Sequence, residues 1–146
     1  PVKIVNVDGR EIEDYQCDEE TLNKIYNASD VYFTTTRGEG WGLGVVEAMA
    51  CMVPVICPLN TSFFEITDNG KRAYVLENQF PIASRADNVI RGQIDPDEAA
   101  ERLHEVYTDL ENPKSWNKLL LAHNYAQSLN WDDIALKWVE IFKEVY

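Results

Sequence analysis

The sequence predicts an α/β fold, a Rossmann-like parallel sheet flanked by helices, and three observations carry that prediction. Between Val31 and Pro58 the chain runs from a β-branched and aromatic stretch (Val31-Tyr-Phe-Thr-Thr-Thr36) through a loop with three glycines in six residues (Arg37-Gly-Glu-Gly-Trp-Gly42). It then passes into a helix-like segment (Leu43 to Met52) and a short apolar strand (Val53-Pro-Val-Ile-Cys-Pro58). Strand, loop, helix and strand in this space make a βαβ unit with parallel strands. Capped, amphipathic helix patterns stand on either side of that unit, beginning at Asp18 and Asp95. Finally, 146 residues that are 45% hydrophobic, with five Phe, four Trp and seven Tyr, supply the core of one domain.

Taken in order, Val2-Lys-Ile-Val-Asn-Val7 is mostly β-branched and reads as a strand, with Asp8-Gly9 as a turn after it. Glu11 to Gln16 is a polar loop or a short extended piece. Asp18 is an N-cap for a helix through about Asn27, with Leu22, Ile25 and Tyr26 on its inner face. Beyond the βαβ unit, Leu59 to Glu65 reads as a turn or short helix, Asn69-Gly70 as a turn and Arg72 to Leu76 as a strand. Residues 77–94 lack any period and are expected to form a long loop. Asp95-Pro96-Asp97-Glu98 opens a helix through about Leu110, with Asp95 as N-cap, Pro96 in the first helical position and Glu98 closing a capping box. Asn112-Pro113 starts the next helix, which runs to about Ser128 and carries Trp116, Leu119, Leu120, His123 and Tyr125. Residues 131–146 form the C-terminal helix, whose stripe of Ile134, Trp138, Ile141, Phe142 and Val145 is expected to join the domain core.

A net charge of −12 argues against nucleic acid and against anionic membrane surfaces as partners. Cys17, Cys51 and Cys57 have no metal-ligand spacing. Cys51 and Cys57 are expected to be buried thiols, which suits a reducing compartment such as the cytoplasm. No metal site is expected, since Asp95-x-Asp97 reads as a helix cap and His104 and His123 have no partner in sequence. There is also no run of 18 apolar residues.

Two carboxylates mark the Gly-rich loop: Glu39 within it and Glu47 eight positions on. With a helix starting near Leu43, Glu47 lies about 6 Å along its axis, and both acids are expected to line one crevice. Between them the N–H groups of Gly40, Trp41, Gly42 and Leu43 have no helical partner. Free amides and a positive helix end suit an anion, while carboxylates accept hydrogen bonds from hydroxyls. A nucleoside diphosphate sugar has both parts. The unit Thr36-x-x-Glu39-Gly40-Trp41-Gly42-Leu43-x-x-x-Glu47-Ala48-Met49-Ala50-x-x-x-Pro54-Val55-Ile56 resembles the Glu-x7-Glu signature of retaining glycosyltransferases of the GT-B fold, family-4 type. Thr36 stands where that family usually shows Ser, Trp41 where it shows Phe, and Met52 where it shows Gly.

The resemblance implies that Glu39 holds hydroxyls of the transferring sugar and acts in catalysis, that Glu47 holds the ribose, and that the loop amides hold the diphosphate. The nucleobase would lie near Tyr15 to Asp18, with Cys17 as a donor-binding candidate, and Glu65 matches a family Glu that here either braces its loop or joins the site. The implied partners are a nucleotide-sugar donor, a sugar, lipid or protein acceptor, and an N-terminal GT-B domain of the same protein that binds the acceptor. No metal or other cofactor is required. The family's Arg and Lys that grip the diphosphate have no counterpart here: residues 1–70 hold twelve Asp/Glu against four Lys/Arg. The chain is therefore expected to be a donor-binding domain incomplete on its N-terminal side, inactive alone, and peripheral to a membrane, if at all, only through the part outside it. Two other readings use the same residues. One is a degenerate domain that binds nucleotide sugar without turnover, and the other is a glycoside hydrolase with paired carboxylates, against which the helix terminus between the acids argues.

Overall fold

The computed structural model describes residues 4–5, 11–12, 17–83, 89–110, 112 and 115–145. The expected turn at Asp8-Gly9, the Tyr15-Gln16 half of the nucleobase segment and the start at Pro113 lie outside them. Strands β1 (Ile4–Val5) and β2 (Glu11–Ile12) pair antiparallel, Ile4 opposite Ile12. Helix α1 (Glu19–Asn27) begins where the sequence predicts, because the Asp18 side chain accepts from Thr21 N at 2.8 Å. Next come β3 (Tyr32–Phe33), α2 (Leu43–Ala50), β4 (Val55–Pro58), the one-turn α3 (Phe63–Ile66) and β5 (Tyr74–Leu76). β3, β4 and β5 form a parallel sheet in that order, with Tyr32 opposite Val55 and Ile56 opposite Tyr74.

The fold is α/β, a three-stranded parallel sheet flanked by helices in a Rossmann-like arrangement. Alternation along the strands explains the layers. Val55, Cys57 and Val75 pack on one face with Val45, Ala48 and Met49 of α2 and with Ala122 and Ala126 of α5 (Ser115–Gln127). Ile56, Tyr74 and Leu76 pack on the other face with Ala99 and Val106 of α4 (Pro96–Asp109). Covered on both faces, β4 and β5 are buried throughout, which is why they read as continuous apolar runs. Small residues let α5 lie close to α2, and His123 Nδ1 meets the Ala50 carbonyl at 2.8 Å. Lys118 Nζ donates to the Gly70 and Ala73 carbonyls, both at 2.9 Å.

Three sequence expectations are corrected. Residues 77–94 are not a plain loop: β6 (Gln79–Ala83) and β7 (Ile90–Ile94) pair antiparallel, with Pro81 opposite Gly92. The Glu98 carboxylate does not turn back to Asp95 N. It accepts from Glu77 N (3.0 Å) and Asn78 N (2.8 Å), while Asp95 N donates to the Asn78 carbonyl. And α6 (Trp131–Val145) adds nothing to the core: none of its residues is buried, and Trp131 is 82% exposed. Cys57 is buried as expected, whereas Cys51 is only half-buried, with its Sγ 3.4 Å from Asn23 Oδ1.

Candidate functional site

β3 ends at Phe33, and the chain crosses the end of the parallel sheet through Thr34–Gly42 before α2 begins. Such a crossing is where open α/β sheets bind ligands. The loop is fastened at both ends by hydroxyls. Thr36 Oγ1 donates to Glu39 Oε1 at 3.0 Å and to the Gly38 carbonyl at 3.3 Å. From the turn after β4, Thr61 Oγ1 accepts from Glu39 N at 3.0 Å, and Ser62 Oγ donates to the Trp41 carbonyl at 2.8 Å and the Glu39 carbonyl at 3.2 Å. Gly42, the residue before α2, has φ +96, and a Cβ there would sit 2.4 Å from Phe63 Cε1. Only glycine suits both the left-handed backbone and the ring beneath it. Among the described residues, the N–H groups of Gly40, Trp41, Gly42 and Leu43 make no hydrogen bond.

One hollow lies at the start of α2, and a second lies between the later part of α2 and α1. The larger, about 400 Å³, is lined by Tyr32, Thr34, Glu39, Trp41, Gly42, Leu43 and Phe63 among others. The smaller, about 260 Å³, is lined by Glu19, Leu22, Asn23, Tyr26, Glu47, Ala50 and Cys51. Glu39 and Glu47 therefore line separate hollows rather than one crevice. Tyr32 stands within electrostatic reach of both: burial first, then Glu39 and Glu47, push its phenol above the usual tyrosine range. Among the described residues, no Lys or Arg forms an ion pair with either carboxylate.

The family of glycosyl transferases group 1 matches residues 15–118, well over half of the chain. The chain belongs to the glycosyl transferases group 1. A probable sucrose-phosphate synthase from Thermosipho melanesiensis is 39% identical to it over 59 residues, a segment that makes up 38% of this chain and 14% of that protein. The match thus spans a small part of the relative's length.

Within this group 1 glycosyl transferase chain, Gly40 lies on the exposed crest of the loop, and Trp41 and Leu43 are also largely exposed. Thr36 and Cys17 line neither hollow. Thr36 donates to the Glu39 carboxylate, and Cys17 stands just before α1, two residues from Glu19. Glu65 is exposed on α3, and Arg72 donates to its carbonyl rather than to its carboxylate. Sequence reasoning missed the two hydroxyls of Thr61 and Ser62. It also missed Tyr26 as a partner of Glu47, although the helix period had placed Tyr26 on the inner face of α1. Among the described residues there is no group of His, Cys, Asp and Glu that could hold a metal ion, and no helix is long and apolar enough to cross a membrane.

Proposed function

We propose that the chain is the donor-binding, C-terminal part of a retaining glycosyltransferase of the GT-B fold, family-4 type. In this reading it holds a nucleoside diphosphate sugar for transfer to a sugar, lipid or protein acceptor. Residues 1–146 belong to one nucleotide-sugar-binding domain, with residues 131–146 as its C-terminal helix, and the acceptor sits on an N-terminal GT-B domain of the same protein. Glu39 fixes the pose of the transferring sugar and Glu47 takes the ribose hydroxyls. The amides of Gly40, Trp41, Gly42 and Leu43 stabilise the charge that builds on the leaving diphosphate. Thr36 orients Glu39, and the segment at Cys17 meets the base. No metal takes part, and free thiols suit a reducing cytoplasm. Alone, the 146 residues bind nucleotide weakly and transfer nothing.

The observation that supports this reading best is the pair of carboxylates on either side of four unbonded amides at the start of α2. It is tested on the full-length protein with UDP-, GDP- and ADP-sugars. Glu47→Ala should weaken binding of the preferred nucleoside diphosphate about tenfold, the worth of one charge-assisted hydrogen bond. Glu39→Gln should lower turnover far more than it lowers nucleotide affinity. Wild-type affinity in the first variant, or wild-type turnover in the second, would remove that residue from the site. Tight binding without release of nucleoside diphosphate would instead establish a binding module.

A further inference from the structure

Tyr26 Oη donates to Glu47 Oε2 at 2.9 Å across 21 residues of sequence, from α1 to α2. Among the described residues Glu47 Oε1 has no partner, and the carboxylate lines the smaller hollow. The phenol is itself held. Its ring packs on Tyr32 with centroids 6.0 Å apart at 44°, and α1 is tied to the end of α2 by the contact of Cys51 Sγ with Asn23 Oδ1. Burial and the Glu47 charge both push the Tyr26 phenol up, so it remains a donor throughout the physiological range. A carboxylate on a flexible side chain must give up rotamer freedom to grip two adjacent hydroxyls. One oxygen pinned in advance removes part of that loss, and it leaves the other oxygen and the spare lone pairs for the ligand.

We infer that Tyr26 is a positioning residue: it holds the Glu47 carboxylate in the orientation that accepts a ribose diol, and so sets how strongly the site prefers ribose over a sugar lacking those hydroxyls. This rests on the proposed role of Glu47 and goes beyond it by naming the residue that makes that carboxylate selective.

The experiment uses the full-length protein and isothermal titration. UDP, GDP and ADP identify the preferred base, and its diphosphate is compared with the 2′,3′-dideoxy counterpart. The ratio of the two affinities measures diol recognition alone. Tyr26→Phe keeps the ring and removes the hydroxyl, and it should lower the ratio about threefold to tenfold while leaving affinity for the dideoxy nucleotide unchanged. A merely structural role would weaken both ligands together and leave the ratio in place, which would overturn the inference. Glu47→Gln separates the two levels of the argument. If it keeps the wild-type ratio, or if no nucleoside diphosphate binds the wild type, the ribose reading falls and the inference with it. If it collapses the ratio while Tyr26→Phe does not, the reading stands and the inference alone falls. Should Tyr26→Phe fail to fold, Tyr26→Met removes the same hydroxyl and is read in the same way.

Discussion

Met52 has φ +58, a left-handed conformation that costs a residue with a Cβ about 1–2 kcal/mol. It is held there by the end of α2: Met52 N donates to the Met49 carbonyl at 3.1 Å, and Val53 N reaches back to the Ala48 carbonyl at 2.9 Å. These are the two bonds that close a helix in a Schellman motif, where glycine is the usual residue. Glycine is also what the resembled signature shows at this position, so the departure has a physical cost that can be measured. Met52→Gly should stabilise the fold by about 0.5–1 kcal/mol, since the half-buried methionine gives up some packing in exchange for the relieved backbone. For a chain of this size that is a rise in Tm of roughly 1–4 °C. A lower Tm would mean that the Met52 side chain contributes more by packing than its backbone loses by strain.

At the level of elements, the hairpin and α4 are joined through one carboxylate. Glu98 is only 6% exposed, accepts from the N–H groups of Glu77 and Asn78, and has Arg102 at 3.9 Å. Glu98→Ala strips two amides of a charged acceptor and should cost about 2–3 kcal/mol, with Glu98→Gln losing roughly half as much. Urea midpoints at constant slope check this, and an unchanged midpoint would show that water replaces the carboxylate without loss. This contact also marks the limit of what the sequence made legible. The βαβ unit could be read because strand residues, glycines and helix pattern follow one another without interruption, and the Asp18 and Asp95 caps because a cap is local. Pro81 facing Gly92 hid the hairpin: Gln79–Ala83 does not alternate and carries a residue without an N–H, and the short alternation of Ile90–Ile94 has a glycine at its centre. Helix period identified the apolar stripe of α6 correctly but could not say what covers it, and among the described residues nothing buries it. In the site, the spacing of Glu39 and Glu47 was visible, while the Thr61, Ser62 and Tyr26 contacts bridge 21 to 23 positions and exist only in the folded chain.

For the molecule as a whole, full or partial burial favours the neutral form of several titratable groups, and this sets its response to alkali. Burial pushes the Cys57 thiol up from an ordinary 9.0 to about 12. Burial also raises the phenols of Tyr26, Tyr32, Tyr74 and Tyr125 above their ordinary 10.0. Each of these groups keeps its proton longer in the folded chain than in the unfolded one. Their contribution to stability is therefore complete below about pH 9 and is lost as pH rises, first through Cys57 and then through the tyrosines, because the unfolded state releases protons that the folded state retains. Lys118, lowered by burial, acts in the opposite sense, but it is one group against five. Cys57 alone should steepen the fall in stability above pH 9. Urea unfolding at steps from pH 8 to pH 11, with thiols kept reduced, should show stability falling above pH 9. Cys57→Ala should be less stable at pH 8, where it leaves a void, yet fall more gently above pH 9. Parallel curves for the two proteins would mean that the thiol ionises as readily in the folded core as in the open chain, and that alkaline unfolding is driven by the tyrosines or by the repulsion of a chain already at net charge −12.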